Sequence, residues 1–245
     1  MAYDPASSAA VIGSAARPAG TLGIGRWLGV LAAAAALVAT YMALIWAPTD
    51  AVQGDVYRII YVHVPSAWLA YLAFFIVFLA SVGWLWTRRT FFDAVAVSSA
   101  EIGVLFTGLA LVAGSIWAKP TWGVWWTWEP RLVTTAVMFV MYVGYLLLRG
   151  LETDFTRRAT RAAILGVIFV IDVPIVHLSV LWANSLHQLP TVLRPGGSPA
   201  LDGSMLLTLM VSVTAFTLIY AYLMLVRVRL ELARRERFAL PRGAA

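Results

Sequence analysis

Three histidines and no cysteine define which metal chemistry this 245-residue chain can support. The lack of cysteine excludes disulfides, iron–sulfur clusters, thiolate metal sites and thiol nucleophiles. The imidazoles of His63, His177 and His187 are therefore the candidate metal ligands.

The most unusual run in the chain lies between Lys119 and Leu132, where four of the 11 tryptophans fall within seven positions. They are Trp122, Trp125, Trp126 and Trp128. Anchoring at a membrane interface accounts for one or two tryptophans per helix end, so this density indicates an additional role. If the run is helical, Trp122, Trp125 and Trp126 share one face and form an aromatic shelf. Such a shelf suits a large, flat, apolar ligand with a polar edge.

Haem has these properties, because it is a flat macrocycle with two propionates and an iron that takes axial ligands. Lys119, Glu129 and Arg131 lie at the margins of the run, and arginine can pair with a carboxylate through two hydrogen bonds. A quinone or a lipid is also flat or apolar, but neither takes two imidazoles. Pure membrane anchoring remains the alternative interpretation.

The composition indicates that these residues are positioned by membrane helices. The chain is 61% hydrophobic and 12% charged, with a mean hydropathy of +0.83. Soluble domains are roughly 45–50% apolar and about 25% charged. An ordinary soluble domain and a disordered chain are therefore excluded. The basic residues, 17 of them arginine, are separated by long uncharged stretches, which argues against nucleic-acid binding.

Six stretches have about the length and apolarity of a membrane-spanning helix. They are residues 27–47, 59–86, 94–118, 132–148, 162–183 and 204–226. The stretches are too long for strands and do not alternate in polarity, so a β-barrel is disfavoured. No internal repeat is visible. The sequence predicts a single all-α integral membrane domain over residues 1–245, with six transmembrane helices.

The distribution of basic residues predicts the orientation of these spans. Six spans place both termini on one side, and 14 of the 18 basic residues lie on that side. The other four are Arg58, Lys119, Arg131 and Arg194. The positive-inside rule therefore predicts cytoplasmic termini. The loop 119–131 and the outer ends of the spans would face the opposite side.

His63 and His187 fall beside these outer loops, on the same side as the tryptophans. A bis-histidine haem takes one imidazole from each face of the ring, so the two histidines are candidate axial ligands. Either one alone could equally be an interfacial histidine bonded to water or backbone. His177 precedes His187 by ten residues, about 15 Å along a continuous helix, so the two could not share one metal.

Three further groups inside the spans favour structural roles. His177 is interpreted as a buried histidine bonded to a neighbouring helix. Asp172, just before Val173 and Pro174, is interpreted as bonding backbone groups that the proline frees. Glu101 lies near the inner end of its span, and no intramembrane cation partner is evident for it or for Asp172.

Three motifs resemble one family of haem-handling membrane proteins in c-type cytochrome biogenesis. The run WGVWWTWEPRL at 122–132 resembles its tryptophan-rich signature. The segments YRIIYVHVP at 57–65 and HLSVLWANSLHQ at 177–188 resemble its smaller, six-span member, the CcmC family, called haem exporter protein C. The resemblance covers roughly residues 45–190. Glu129 and Pro130 depart from it, because the family usually has aspartate and a small residue there.

The resemblance implies a site that faces the periplasm of a multi-pass protein in the bacterial inner membrane. The loop 119–131 would hold non-covalent haem b, with His63 and His187 as axial ligands. Arg58 and Arg131 match positions expected near the propionates, with Glu129 beside them. The residues implied in binding are His63, His187, Trp122, Trp125, Trp126, Trp128, Arg58, Arg131 and Glu129.

The implied role is haem transport and delivery rather than catalysis. Expected partners are a periplasmic haem chaperone, the ATPase and membrane subunits of an ABC-type transporter, a small single-span subunit and membrane lipid, with no nucleic acid. Two alternatives remain: a haem lyase of the same superfamily, and a membrane permease or scaffold unrelated to haem. Six spans and three histidines argue against the lyase, and the third interpretation leaves the tryptophan run unexplained.

Overall fold

The computed structural model describes residues 19–182, 186–187 and 201–239, and no strand occurs among them. Six helical segments there are long and apolar enough to cross a membrane, which confirms the predicted all-α architecture with six spans. Their bounds are Gly23–Trp46, Asp55–Thr87, Thr90–Trp122, Pro130–Leu151, Phe155–Leu181 and Gly203–Glu236. All but the first and fifth extend past both ends of the apolar stretches read from sequence.

The spans are built from seven α-helices and two short turns. The helices are α1 (Ala19–Tyr41), α2 (Ile60–Thr87), α3 (Thr90–Trp122), α4 (Pro130–Leu151), α5 (Phe155–Phe169), α6 (Asp172–Trp182) and α7 (Gly203–Ala239). A π-helical turn, Met42–Trp46, continues α1, and a 3-10 turn, Asp55–Ile59, leads into α2. The fifth span therefore consists of two helices, α5 and α6.

Local sequence signals fix the ends of α3 and α4. Gly123 adopts a left-handed conformation with φ of 79°, and its N–H donates to the Lys119 carbonyl, which ends α3. Pro130 occupies the first turn of α4, where its missing N–H has no helical partner to lose. Glu129 caps that helix by accepting a hydrogen bond from the Leu132 N–H at 3.2 Å.

The most extensive helix packing in the described residues is that of α2 against α3. A Cβ added to Gly103 of α3 would lie 2.6 Å from the Phe74 ring of α2, so only glycine permits this approach. The buried Ser99 hydroxyl donates to the Ala73 carbonyl at 2.7 Å and also bonds the Tyr220 hydroxyl of α7. Helix α7 packs across α2 and α3, and α1 packs on α7.

The two halves of the fifth span have different neighbours. Helix α5 packs against α2 and α4, whereas the extensive packing partner of α6 is α4. The break falls at Val170 and Ile171, just before Pro174, which cannot donate a backbone hydrogen bond. The sequence interpretation placed backbone groups freed by the proline here, and the structure shows an interrupted helix.

A buried ion cluster joins the N-terminal end of α3 to the C-terminal ends of α4 and α7. The Asp93 carboxylate accepts from both Arg149 Nη atoms, at 2.7 and 2.9 Å, and from Arg235 Nη2 at 2.7 Å. Asp93 is 2% exposed and Arg149 is 7% exposed. From sequence, Arg149 is one of the 14 basic residues assigned to the side of the termini. In the structure its guanidinium is buried in this cluster.

Glu101 also has a cation partner, contrary to the sequence interpretation. Its carboxylate pairs with the guanidinium of Arg227 on α7, and both side chains are partly buried. The sequence interpretation placed Arg227 outside the sixth span, because the apolar stretch ends at residue 226. The structure continues that helix for several turns, which brings the two charges together.

Replacing Asp93 by alanine is expected to destabilise the fold by about 3–5 kcal/mol, because Arg149 is left buried without its carboxylate. Denaturant unfolding in detergent micelles measures the free energy of unfolding. Arg161→Ala is the control, because it removes a pair in which the arginine is 61% exposed, and should cost about 0–1 kcal/mol. Equal losses in the two variants would contradict a structural role for the Asp93 cluster.

Candidate ligand-binding site

A cavity of about 870 Å³ lies between the helices near one end of the bundle. Side chains from α2, α3, α4, α6 and α7 line it, together with Gln53, Trp126, Leu186 and His187. Its lining is mostly apolar, and its size falls within the roughly 300–1,000 Å³ typical of small-molecule and cofactor sites. All three histidines contribute to its wall.

His63 lies in the first turns of α2, and α3 fixes its ring. Its Nδ1 is 3.0 Å from the Ala110 carbonyl oxygen. Because a carbonyl only accepts, Nδ1 carries the hydrogen and donates it, which leaves the lone pair on Nε2. This is the ligand form of imidazole in metal sites, where the second nitrogen donates to backbone or carboxylate.

Gly114 and Trp117 of α3 complete the seat of this ring. A Cβ added at Gly114 would lie 3.0 Å from His63 Cε1 and 3.3 Å from Nδ1, so glycine leaves the space that the imidazole occupies. The Trp117 indole meets the ring edge-on, with centroids 5.8 Å apart, and its Nε1 donates to Gln53 Oε1 at 2.7 Å. Sequence reasoning assigned no role to Ala110, Gly114 or Gln53, because nothing in their types or spacing marks them.

His187 faces His63 across the cavity. The two ring centroids are 6.4 Å apart and the ring planes are inclined by 33°. A metal–imidazole bond is about 2.0 Å long and each nitrogen lies about 1.2 Å from its ring centre, so axial imidazoles on one iron have centres about 6.4 Å apart. The pair therefore has the spacing of two axial ligands.

Arg131 is the charged side chain of the cavity among the described lining residues. Its Nη2 donates to the His177 carbonyl at 2.8 Å, and its Nη1 lies 3.4 Å from His187 Nδ1. None of the ion pairs formed by the described residues includes Arg131. Its positive charge is therefore available to an anionic group in the cavity.

The tryptophan run is not one helical face, so the predicted shelf is wrong in its geometry. Trp122 is the last residue of α3, and the left-handed Gly123 separates it from Trp125 and Trp126. Trp122 and Trp126 still line the cavity, and the Trp122 ring lies 6.4 Å from that of His187. Trp125 and Trp128 are 57% and 85% exposed and do not line it.

Arg58 and Glu129 lie outside the cavity lining. Arg58 Nη1 donates to the carbonyls of Ala43, inside the π-helical turn, and Ala47, just after it, and Arg58 Nε pairs with Asp55. Glu129 is buried, at 7% exposed, and caps α4. In this arrangement both groups hold local structure, whereas Arg131 is the arginine that reaches the histidines.

The structure corrects two interpretations of α6. His177 is exposed rather than buried, and its ring meets Tyr71 edge-on with centroids 6.1 Å apart. The Asp172 Oδ2 atom is buried and has no hydrogen-bond partner among the described residues, so it does not satisfy backbone groups at the break. Because Leu186 and His187 lie in a bend, His177 and His187 do not belong to one continuous helix.

Comparison with known proteins gives a consistent result. Residues 15–241 match the family described as Heme exporter protein C. Proteins of that name from Bradyrhizobium diazoefficiens and Escherichia coli K12 are 39% and 38% identical to this chain. The matches cover 86% and 83% of the chain and 79% and 81% of those proteins. A putative cytochrome c biosynthesis ccmC-like mitochondrial protein of Marchantia polymorpha is 38% identical, over 66% of this chain and 68% of its own.

Replacing Gly114 by alanine is expected to move the His63 ring from its seat towards the cavity and to change its spacing to His187. A ligand that needs both imidazoles should then bind about 10–100-fold more weakly, as when a supporting group of a metal ligand is lost. Spectroscopic titration with haem measures this affinity. Gly144→Ala is the matched control, because a Cβ there would meet nothing within 4 Å. Unchanged affinity in Gly114→Ala would contradict the positioning role of this glycine.

Proposed function

The chain belongs to the Heme exporter protein C family, and from this premise we propose that its cavity binds haem as cargo between His63 and His187. Membership supports a role in haem handling during cytochrome c biogenesis. The observation that carries the binding site is the 6.4 Å separation of the two imidazole centres, which matches the spacing of axial ligands on one iron.

The rest of the cavity supports the proposal. The volume of about 870 Å³ and the apolar wall suit a large macrocycle. Trp117, Trp122 and Trp126 supply rigid aromatic contacts around the pair of histidines. Arg131 supplies a cation for a propionate, because a guanidinium can meet a carboxylate through two hydrogen bonds. Bound haem would be non-covalent, since the chain has no cysteine to bond it.

The contact between Arg131 and His187 links iron ligation by His187 to the binding of a haem propionate by Arg131. An arginine only donates, so its contact with His187 Nδ1 uses a lone pair of that ring and places the ring proton on Nε2. His187 can ligate iron only when the guanidinium leaves this nitrogen. A propionate within reach of Arg131 gives the guanidinium a stronger partner than a neutral imidazole. Binding of the haem edge therefore releases the second axial ligand.

The proposed orientation places the cavity at the periplasmic face of the bacterial inner membrane, with both termini cytoplasmic. There the cargo would pass to a periplasmic haem chaperone, and ABC-type ATPase and membrane subunits and a small single-span subunit would be further partners. Trp125 and Trp128, exposed beside the cavity-lining Trp126, lie at this end of the molecule. We propose delivery rather than covalent attachment, because six spans and three histidines argue against the haem lyase.

His63→Ala and His187→Ala are each expected to lose the six-coordinate haem spectrum, because one axial ligand is removed. His177→Ala is the control and should keep it, since this ring is outside the pair. The protein is purified in detergent, supplied with haem and followed by optical absorption. Normal six-coordinate haem in both His63→Ala and His187→Ala would refute the ligand assignment. Covalent transfer of haem to apocytochrome by this chain alone would favour the haem lyase.

The absence of native cysteine allows the orientation to be tested with single cysteines. Val52 is 92% exposed in the loop before α2, and Leu151 is 85% exposed at the other end of the bundle. We expect a membrane-impermeant maleimide to label Val52→Cys in intact spheroplasts, but Leu151→Cys only after permeabilisation. The reverse pattern would place the cavity in the cytoplasm and contradict periplasmic delivery.

A further inference from the structure

One face of helix α6 carries both residues that line the cavity and apolar residues on the exposed surface of the bundle. Pro174 and His177 line the cavity, whereas Leu178 and Leu181 are 44% and 53% exposed and do not line it. Helical positions 174, 177, 178 and 181 lie on the same side of a helix. The cavity wall therefore continues directly into the apolar exterior of the bundle.

This continuity results from the break in the fifth span. Helix α5 packs on α2, whereas α6 packs on α4 and has no comparable interface with α2 or α7 in the described part of the chain. Val176 of α6 still belongs to the buried cluster that includes Phe74 of α2, so the weaker packing is confined to the exposed face of α6 that carries Leu178 and Leu181. An irregular backbone at membrane depth occurs where it borders a cavity rather than lipid alone.

His177 lies where the cavity wall meets the exposed face of α6. Its ring meets Tyr71 edge-on at 6.1 Å, and no described side chain hydrogen-bonds to its nitrogens. The described contacts therefore give the nitrogens of this imidazole no structural role. Ionisable groups within membrane spans commonly belong to substrate or ion pathways. Neutral imidazole is also a common ligand of haem iron.

Arg131 connects this position with the histidine pair. Its guanidinium donates to the His177 carbonyl and lies beside His187 Nδ1, so the same cation is close to both histidines. Haem moving from His177 towards His63 and His187 would keep a partner for its propionates throughout. All three imidazoles line the same continuous space.

We propose that haem enters the cavity laterally from the bilayer beside α6 and is first ligated by His177. This inference rests on the proposed function, because it concerns the route by which the same cargo reaches His63 and His187. His177 is an entry ligand in this scheme, not a ligand of the final complex.

The test uses the full chain in nanodiscs whose bilayer contains haem. We expect His177→Leu to reach the wild-type amount of six-coordinate haem, but about tenfold or more slowly, as measured by stopped-flow absorption. His177→Met should keep most of the rate because methionine can also ligate haem iron. Ile164→Ala is the control, because this side chain is 47% exposed on α5 and does not line the cavity, so the variant should load at the wild-type rate. Equal rates for wild type and His177→Leu would overturn the proposal.

A second arm detects the entry complex directly. With His63 and His187 both replaced by alanine, haem should remain bound with one imidazole ligand, and this spectrum should vanish when His177→Leu is added. Identical spectra with and without His177 would overturn the proposal. Failure of the proposed function gives a different result, because wild type itself would then acquire no six-coordinate haem.

Discussion

The close contact between α2 and α3 is the constraint on which the candidate site depends. Gly103 allows the Phe74 ring to approach the α3 backbone, and the Ser99 hydroxyl binds the Ala73 carbonyl across the interface. About three turns away along α2, the same helix pair presents the Ala110 carbonyl to His63. The backbone of one helix therefore sets the ring position and the tautomer of an imidazole on the other. A shift of α3 along its axis would remove both at once.

The sequence predicts the number of spans well because membrane insertion requires long apolar helices whatever their packing. It also points to His63 and His187, two of the three histidines, and to Arg131, and the structure brings all three to one cavity. The Ala110 carbonyl and the space above Gly114 could not be predicted, because they arise only from the contact of two helices. No residue type encodes a backbone acceptor at a particular depth.

The errors in the sequence interpretation have a common physical cause, which is that apolar length does not report where a helix bends or how far it continues. A helical reading of the tryptophan run required regular backbone through Gly123, where a positive φ ends α3. The pairing of Glu101 with Arg227 required α7 to continue beyond its apolar stretch. In each case a tertiary or backbone feature decided the geometry, and hydropathy carries no information on it.

Charges are used in two different ways at the two ends of the bundle. At the end where α4 and α7 finish, Asp93 is enclosed by Arg149 and Arg235, so each buried charge has a fixed partner and serves to hold helices together. In the cavity, Arg131 bonds a carbonyl and lies beside an imidazole, both neutral acceptors. Neutral acceptors offset the loss of water around a guanidinium only in part, so an anion entering the cavity gains more from Arg131 than it would from a paired arginine. The same incomplete compensation would allow the guanidinium to change partners, as the proposed release of His187 on haem binding requires.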